Sequence, residues 1–442
     1  MRYPLSISTI FNHFSNYKHT MKPHFTILLI ALSTLSTSFF SKEKSKASTP
    51  INPANATNWG FFSHKLINRL AVFTLPEEML PLYKSNIDYI SEQAVAPDKR
   101  RFIVPNEGFR HYINLDRWAF LPQEKLEAQI LHTDIFLVGE RGDTILLLDF
   151  ASIRKLKRDY YLKAKGIKKL FGRDSIVVAD STLRRFFINN TSRIQPDENL
   201  PISVDSLTQL FKKERLILRG SFRSAFAKDK LTPSGILPFH LVTVQRQLTE
   251  AFVAKDKNRV LKLSAEIGHY IADAHVPLHT ISNYDGQQTN QIGIHAFWES
   301  RLPELFAKNQ YDFFVGQAEY FDNAKKYYWD IIMASNKLVA RTLKVEKEVA
   351  AAFRDDNKYC PETVNRTTLK KPCFDFAQSY HEKLDGMVED RMQGAILALG
   401  SAWLTAWTDA GKPDLENLNS TPLSIKADST EIKGDTVLKC GG

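Results

Sequence analysis

The part of this sequence that most restricts its fold lies between 269 and 299, where two histidine and carboxylate pairs recur at one spacing. His269 and Asp273 stand four residues apart in a helix-period stretch, so both side chains leave one face and can grip one cation. Pro277 then disturbs that helix, which lets His279 turn toward a neighbouring point. His295 and Glu299 repeat the four-residue spacing. A lone pair of this type is ordinarily a surface hydrogen bond or ion pair. Two pairs with His279 between them supply nitrogen and oxygen ligands of the kind zinc takes, and neutral imidazoles beside carboxylates are the usual ligand set of hydrolytic zinc.

Around this cluster the chain reads as mainly helical. Apolar residues recur at helical spacing over 59–75, and again over 240–254, 258–275, 294–307, 317–354 and 375–410, with few breakers. Between 121 and 233 the pattern changes. Apolar runs at 135–138 and 144–148 flank a turn-forming segment at 139–143, which predicts a β-hairpin, and 174–178 is another strand candidate. The expected organisation is a leader at 1–48, a helical domain in two parts at 49–120 and 234–412, a basic α/β insertion at 121–233, and a polar tail at 413–442. No internal repeat at a solenoid period is present.

Composition bears on destination and partners. Met21 and Lys22 open a basic stretch, Phe25 to Leu35 is almost entirely apolar, and small residues follow through Ser38, which reads as a secretory signal peptide. That run is shorter than the ~20 residues a helix needs to span a bilayer, and no later run is longer. The expectation is an exported product, periplasmic or extracellular, with no transmembrane segment in the mature chain. Of three cysteines, Cys360 and Cys373 are near enough to close a small loop in an oxidising compartment, or all three stay thiols; Cys440 has no evident partner. Net charge is +10, and residues 151–230 hold 19 Lys and Arg against 8 Asp and Glu. Such a segment suits peripheral contact with an anionic lipid surface or nucleic acid, or is a solvated insert with no partner.

Segments upstream of the cluster extend it: Trp59 with His64, Pro97 with Asp98, and Gly108 with His111. In this order and with these ligand types, the set resembles the signature of the zinc-dependent phospholipase C and S1/P1 nuclease superfamily, a multi-helix fold holding three zinc ions. The resemblance covers about 59–118 and 235–410 and leaves the insertion outside. It implies a first zinc held by Asp98, His111, His269 and Asp273, a second by His279, His295 and Glu299, and a third by Trp59, His64 and a bridging oxygen of Asp273. The implied function is phosphodiester hydrolysis on water acidified by clustered zinc, with Asp98 either orienting or deprotonating that water or serving only as a ligand.

One of Lys99, Arg100 and Arg101 would contact phosphate, or all three face solvent. In the family the third zinc is held partly by the amino group of an N-terminal tryptophan, whereas residues 51–58 precede Trp59 here, so that site requires a second cleavage. Glu299 and the spacing from His279 to His295 resemble the phospholipase C branch; the close spacing of Trp59 and His64 resembles the nucleases. The substrate expected is therefore a phospholipid, with single-stranded nucleic acid as the alternative and a non-catalytic zinc-containing surface-binding protein third. His240 and His275 are expected in structural or supporting positions, and His132 and His381 have no metal-like neighbours.

Overall fold

A computed structural model describes residues 61–101, 103–118, 125–191, 194, 198–364 and 367–418. The leader at 1–48, Trp59, Cys440 and the tail beyond 418 lie outside the described residues. The chain is mainly helical. Four short helices come first: α1 (Phe61–Ala71), α2 (Leu80–Ser85), α3 (Ile87–Gln93) and α4 (Ala96–Arg100). Pro81 and Pro97 sit in the first turns of α2 and α4, where a missing N–H costs nothing because it has no partner inside the helix.

An α/β segment follows. Helix α5 (Lys125–Leu131) leads to β1 (Thr133–Gly139) and β2 (Thr144–Leu148), the hairpin expected from the apolar runs. Then come β3 (Arg154–Lys155), β4 (Asp159–Leu162), α6 (Lys165–Phe171), β5 (Ile176–Ala179), α7 (Asp180–Asn190), β6 (Asn199–Ile202), α8 (Val204–Lys213) and β7 (Phe222–Asp229). The strands form an antiparallel sheet in the order β2-β1-β7-β6 and a smaller one in the order β3-β4-β5. Their buried faces and α6 to α8 enclose an apolar cluster that runs from Ile130 to Ala227 and is separate from the main core.

Helices resume with α9 (Leu237–Val253), α10 (Lys257–His275), α11 (Ile294–Ala296), a π-turn at Phe297–Arg301, α12 (Leu302–Gln310), α13 (Ala324–Ala352), α14 (Asp355–Lys358), α15 (Phe374–Leu384) and α16 (Met387–Asp409). α10 is the central rod, touching α1, α3, α9, α13 and α16. Asp256 caps its start by accepting from the Arg259 N–H at 3.0 Å. Every residue from Ser264 to His275 is buried, so polar side chains in that stretch need partners inside the protein.

Three departures from the sequence reading have local causes. Residues 317–323, expected to open a helix, are not helical. Their backbone bonds sideways instead, from Ala318 N–H to Thr74 O at 2.8 Å, from Glu319 N–H to Ser401 Oγ at 3.0 Å and from Phe321 N–H to Thr405 Oγ1 at 3.2 Å. Helix α13 begins only where Asn323 caps it, accepting from the Lys326 N–H at 3.0 Å. The stretch 375–410 is two helices, broken where Asp385 and Gly386 both take positive φ, 53° and 76°. Between α14 and α15 lies a hairpin of β8 (Tyr359–Val364) and β9 (Thr367–Pro372), and a disulfide joins Cys360 to Cys373 at its base. Among the described residues, no helix is long and apolar enough to cross a membrane.

Candidate metal centre

Three backbone devices bring distant side chains together at the buried end of α10. Gly268 lets α1 approach without a gap: a Cβ there would lie 2.0 Å from Asn68 Oδ1. Asn68 holds that approach by donating to Ile90 O at 3.1 Å and Ala265 O at 3.0 Å. As a result His64, one turn before Asn68, stacks on His269 with ring centroids 4.1 Å apart. The second device is a clamp on the segment carrying His111, in which Ile236 N–H donates to Phe109 O at 2.8 Å, Ile113 N–H to His279 O at 2.9 Å and Asn114 N–H to Ser234 O at 2.7 Å. The third is the π-turn containing Glu299, whose carbonyl accepts from Ser63 Oγ at 2.8 Å. π-Turns inside helices recur at functional sites because they re-aim one side chain.

The structure gathers every described candidate: His64, Asp98, His111, His269, Asp273, His279, His295 and Glu299. Three groups, His64/His269/Asp273, Asp98/His111/His269 and His279/His295/Glu299, each offer donor atoms within 4.8 Å of one another. His269 Nδ1 donates to Ala94 O at 2.8 Å and His279 Nδ1 donates to His111 O, which leaves a lone pair on each Nε2. Those lone pairs face other acceptors. His269 Nε2 lies 3.4 Å from Asp273 Oδ2 and 3.7 Å from Asp98 Oδ1, while His279 Nε2 lies 3.4 Å from Glu299 Oε2 and 3.8 Å from Asp273 Oδ1. His64 Nε2 sits between Glu299 Oε1 at 3.0 Å and Asp273 Oδ1 at 3.5 Å, and His295 Nε2 is 2.7 Å from Glu299 Oε2. Histidine ligands anchored through Nδ1 to a carbonyl, with Nε2 aimed at carboxylates, form an arrangement that fits a cation.

The electrostatics agree. Burial works against a charged His279, yet Asp273 and Glu299 together raise its pKa to about 9. Burial likewise opposes, and the hydrogen bond to Glu299 and the charge of Asp273 drive, an upward shift of His64. Asp273 and Glu299 are held below the usual carboxylate range despite burial, chiefly by the histidines around them. His269 moves the other way because burial dominates, so it stays neutral and able to ligate. The site therefore draws positive charge, taking protons where no cation neutralises it. Buried His64 Nδ1, His111 Nε2 and His295 Nδ1 have no hydrogen-bond partner among the described residues, where packing and the cluster hold the imidazoles.

The basic trio beside Asp98 is divided. Lys99 lies over the Phe61 ring at 5.9 Å. Arg100 turns behind the cluster, reaching Glu266 at 2.6 Å, Glu107 at 3.2 Å and the Tyr270 hydroxyl at 3.1 Å. Only Arg101 stays at the cluster, 3.6 Å from Asp98 Oδ1 and 44% exposed. Glu107 and Tyr270 were not signalled by the sequence, although Glu266, one turn before His269, marks the same helix face. Tyr270 donates to Glu107 and packs edge-on against His111, His269 and His240, backing the imidazoles with a rigid ring. His275 bonds Ile271 O at 2.8 Å and lies off the cluster, His132 packs on Trp118, and His381 stacks on Phe306. Compared with known proteins, the chain is matched by no family model and by no curated sequence.

Proposed function

We propose that this protein is an exported zinc-dependent phosphodiester hydrolase of the phospholipase C and S1/P1 nuclease type, with a phospholipid as its substrate. The observation that carries the reading is a set of three adjoining donor groups, two of which share His269, while the third, His279/His295/Glu299, reaches Asp273 through His279 at 3.8 Å. A structural zinc closes with four ligands and needs no such cluster. One zinc would be held by Asp98, His111, His269 and Asp273, another by His279, His295 and Glu299, and a third by His64 and Asp273, with Trp59 completing it after processing. Such ions supply positive charge that acidifies water and neutralises phosphate oxygens.

The chain's own groups do the rest. Asp98 would orient or deprotonate the water, or serve only as a ligand. Arg101 is placed to hold a phosphate oxygen by a charge-assisted hydrogen bond. Glu299 favours the phospholipase branch.

A nuclease reading is favoured by Tyr284, which is 53% exposed and lies 5.9 Å from the His295 ring, where a base can stack. The test is to assay the purified protein on phosphatidylcholine and on single-stranded nucleic acid, with and without chelator. Chelator-sensitive diacylglycerol release supports the lipid reading and nucleotide release supports the other. A zinc-replete protein that turns over neither substrate sinks both and leaves a non-catalytic zinc protein that binds surfaces through 151–230.

A further inference from the structure

Beside His240, which packs edge-on against the Tyr270 ring, lies a cavity of about 310 Å³ between α9, the start of α5 and the Arg110 turn. Its charged and aromatic-nitrogen lining is Arg100, Arg110, Lys125, His240 and Glu266, with Thr243 and Gln247 beside them. Arg110 spends one terminal nitrogen on Glu107, at 2.6 Å, and its remaining N–H groups have no partner among the described residues. Lys125 pairs with no carboxylate among the described residues. His240 Nε2 is buried and has no hydrogen-bond partner among the described residues. The carboxylate of Glu266 is steered toward Arg100, which it meets through one oxygen at 2.6 Å. Arg110, Lys125 and His240 thus line one space beside the carboxylate of Glu266, which Arg100 already half occupies.

We infer that this cavity is an oxyanion site, separate from the metal centre, that binds a phosphate group carrying one proton: free hydrogenphosphate or a phosphomonoester. Arg110 and Lys125 match two unprotonated oxygens, the His240 ring lies alongside, and the hydroxyl of the ligand donates to Glu266. Sulfate has the same shape but no proton to give, so it leaves Glu266 facing an acceptor. Lys125 enters from the first helix of the α/β segment, so occupancy ties that segment to the wall behind His111. The inference stands on the cavity and does not depend on what the metal centre hydrolyses.

The experiment is calorimetric titration of the full chain, zinc-loaded and chelator-stripped, with inorganic phosphate, glycerol phosphate and sulfate in separate arms. Phosphate or its monoester should bind stripped protein, sulfate should bind more weakly, and Lys125→Glu should weaken binding by about tenfold, the equivalent of about 1.4 kcal/mol. Binding by inorganic phosphate alone assigns the site to the free ion, and binding by the ester alone assigns it to a phosphorylated metabolite. Lys125 is exposed, so its reversal leaves the fold intact. His240→Leu should weaken binding as well, with His240→Gln restoring part of it. Phosphate binding that vanishes on stripping, that is untouched by Lys125→Glu, or that never occurs overturns the proposal.

Discussion

In the helical region the most deeply buried stretch, the second half of α10, carries Glu266, His269, Asp273 and His275, whereas the core of the α/β segment is apolar. Among its described residues, that segment's buried polar groups gather at its neck, as His132, Thr133, Asp134 and Asp229, with Thr191 at the end of α7. Charged side chains such as Lys212 and Lys213 stand on its surface. Withdrawing a carboxylate from water costs several kcal/mol unless a partner compensates, so a core that keeps charges is specified by what they hold. A core without them is specified by packing alone. Substitutions in the two regions should accordingly fail in different observables.

The largest effect is expected at Asp273. Asp273→Asn should lose more than about a hundredfold in metal affinity and abolish any hydrolysis with it, since a ligand ought to exceed the loss typical of its supporting neighbours. Full zinc content by elemental analysis in that variant would refute the bridging role. In the α/β segment, Phe187→Ala should cost about 3–5 kcal/mol of stability by leaving a cavity, while the folded fraction retains its metal. Zinc loss in parallel with that cavity would erase the contrast between the regions.

A pH effect comes next. Burial lowers the pKa of His132 from 6.5 to about 4, so its neutral form is the one the fold prefers. Its contribution is complete above the unfolded value, is lost as pH falls from about 6.5 toward 4, and amounts to roughly 3 kcal/mol. Denaturant melts across that range should show the decline, and His132→Phe should flatten it. The smallest effect is at the surface. Lys212→Glu with Lys213→Glu should leave stability within about 0.5 kcal/mol, yet weaken adsorption to anionic vesicles by about 1 kcal/mol per charge. Unchanged adsorption in a vesicle co-sedimentation assay would remove the basic surface from the proposal.

Legibility from sequence followed the range of the interaction. His269 with Asp273 and His295 with Glu299 could be paired because four residues on a helix is a local geometry. Pro277 is a local break for the same reason. The hairpin at 135–148 was visible through its turn and the apolar runs on either side of it. What escaped depended on partners elsewhere in the chain. Residues 317–323 have helical-looking apolar spacing, but their N–H groups donate to Thr74, Ser401 and Thr405 instead of within a helix. The separate fates of Lys99, Arg100 and Arg101 arise from rotation about the helix axis and from Glu107 and Glu266, neither of which a run of like charges discloses. The π-turn at Glu299 has no spacing signature.

The clamp around His111 has a consequence for the ancestry of the chain. Backbone bonds from Asn114 to Ser234 and from Ile236 to Phe109 sew together the two roots of the α/β segment, and Thr133 pairs with Asp229 just inside it. To the helices, everything between those stitches is a graft at one point. Material could be gained, lost or exchanged there over generations, or replaced by a short turn at the bench, while the loop bearing His111 stays anchored to the strands of backbone that flank it.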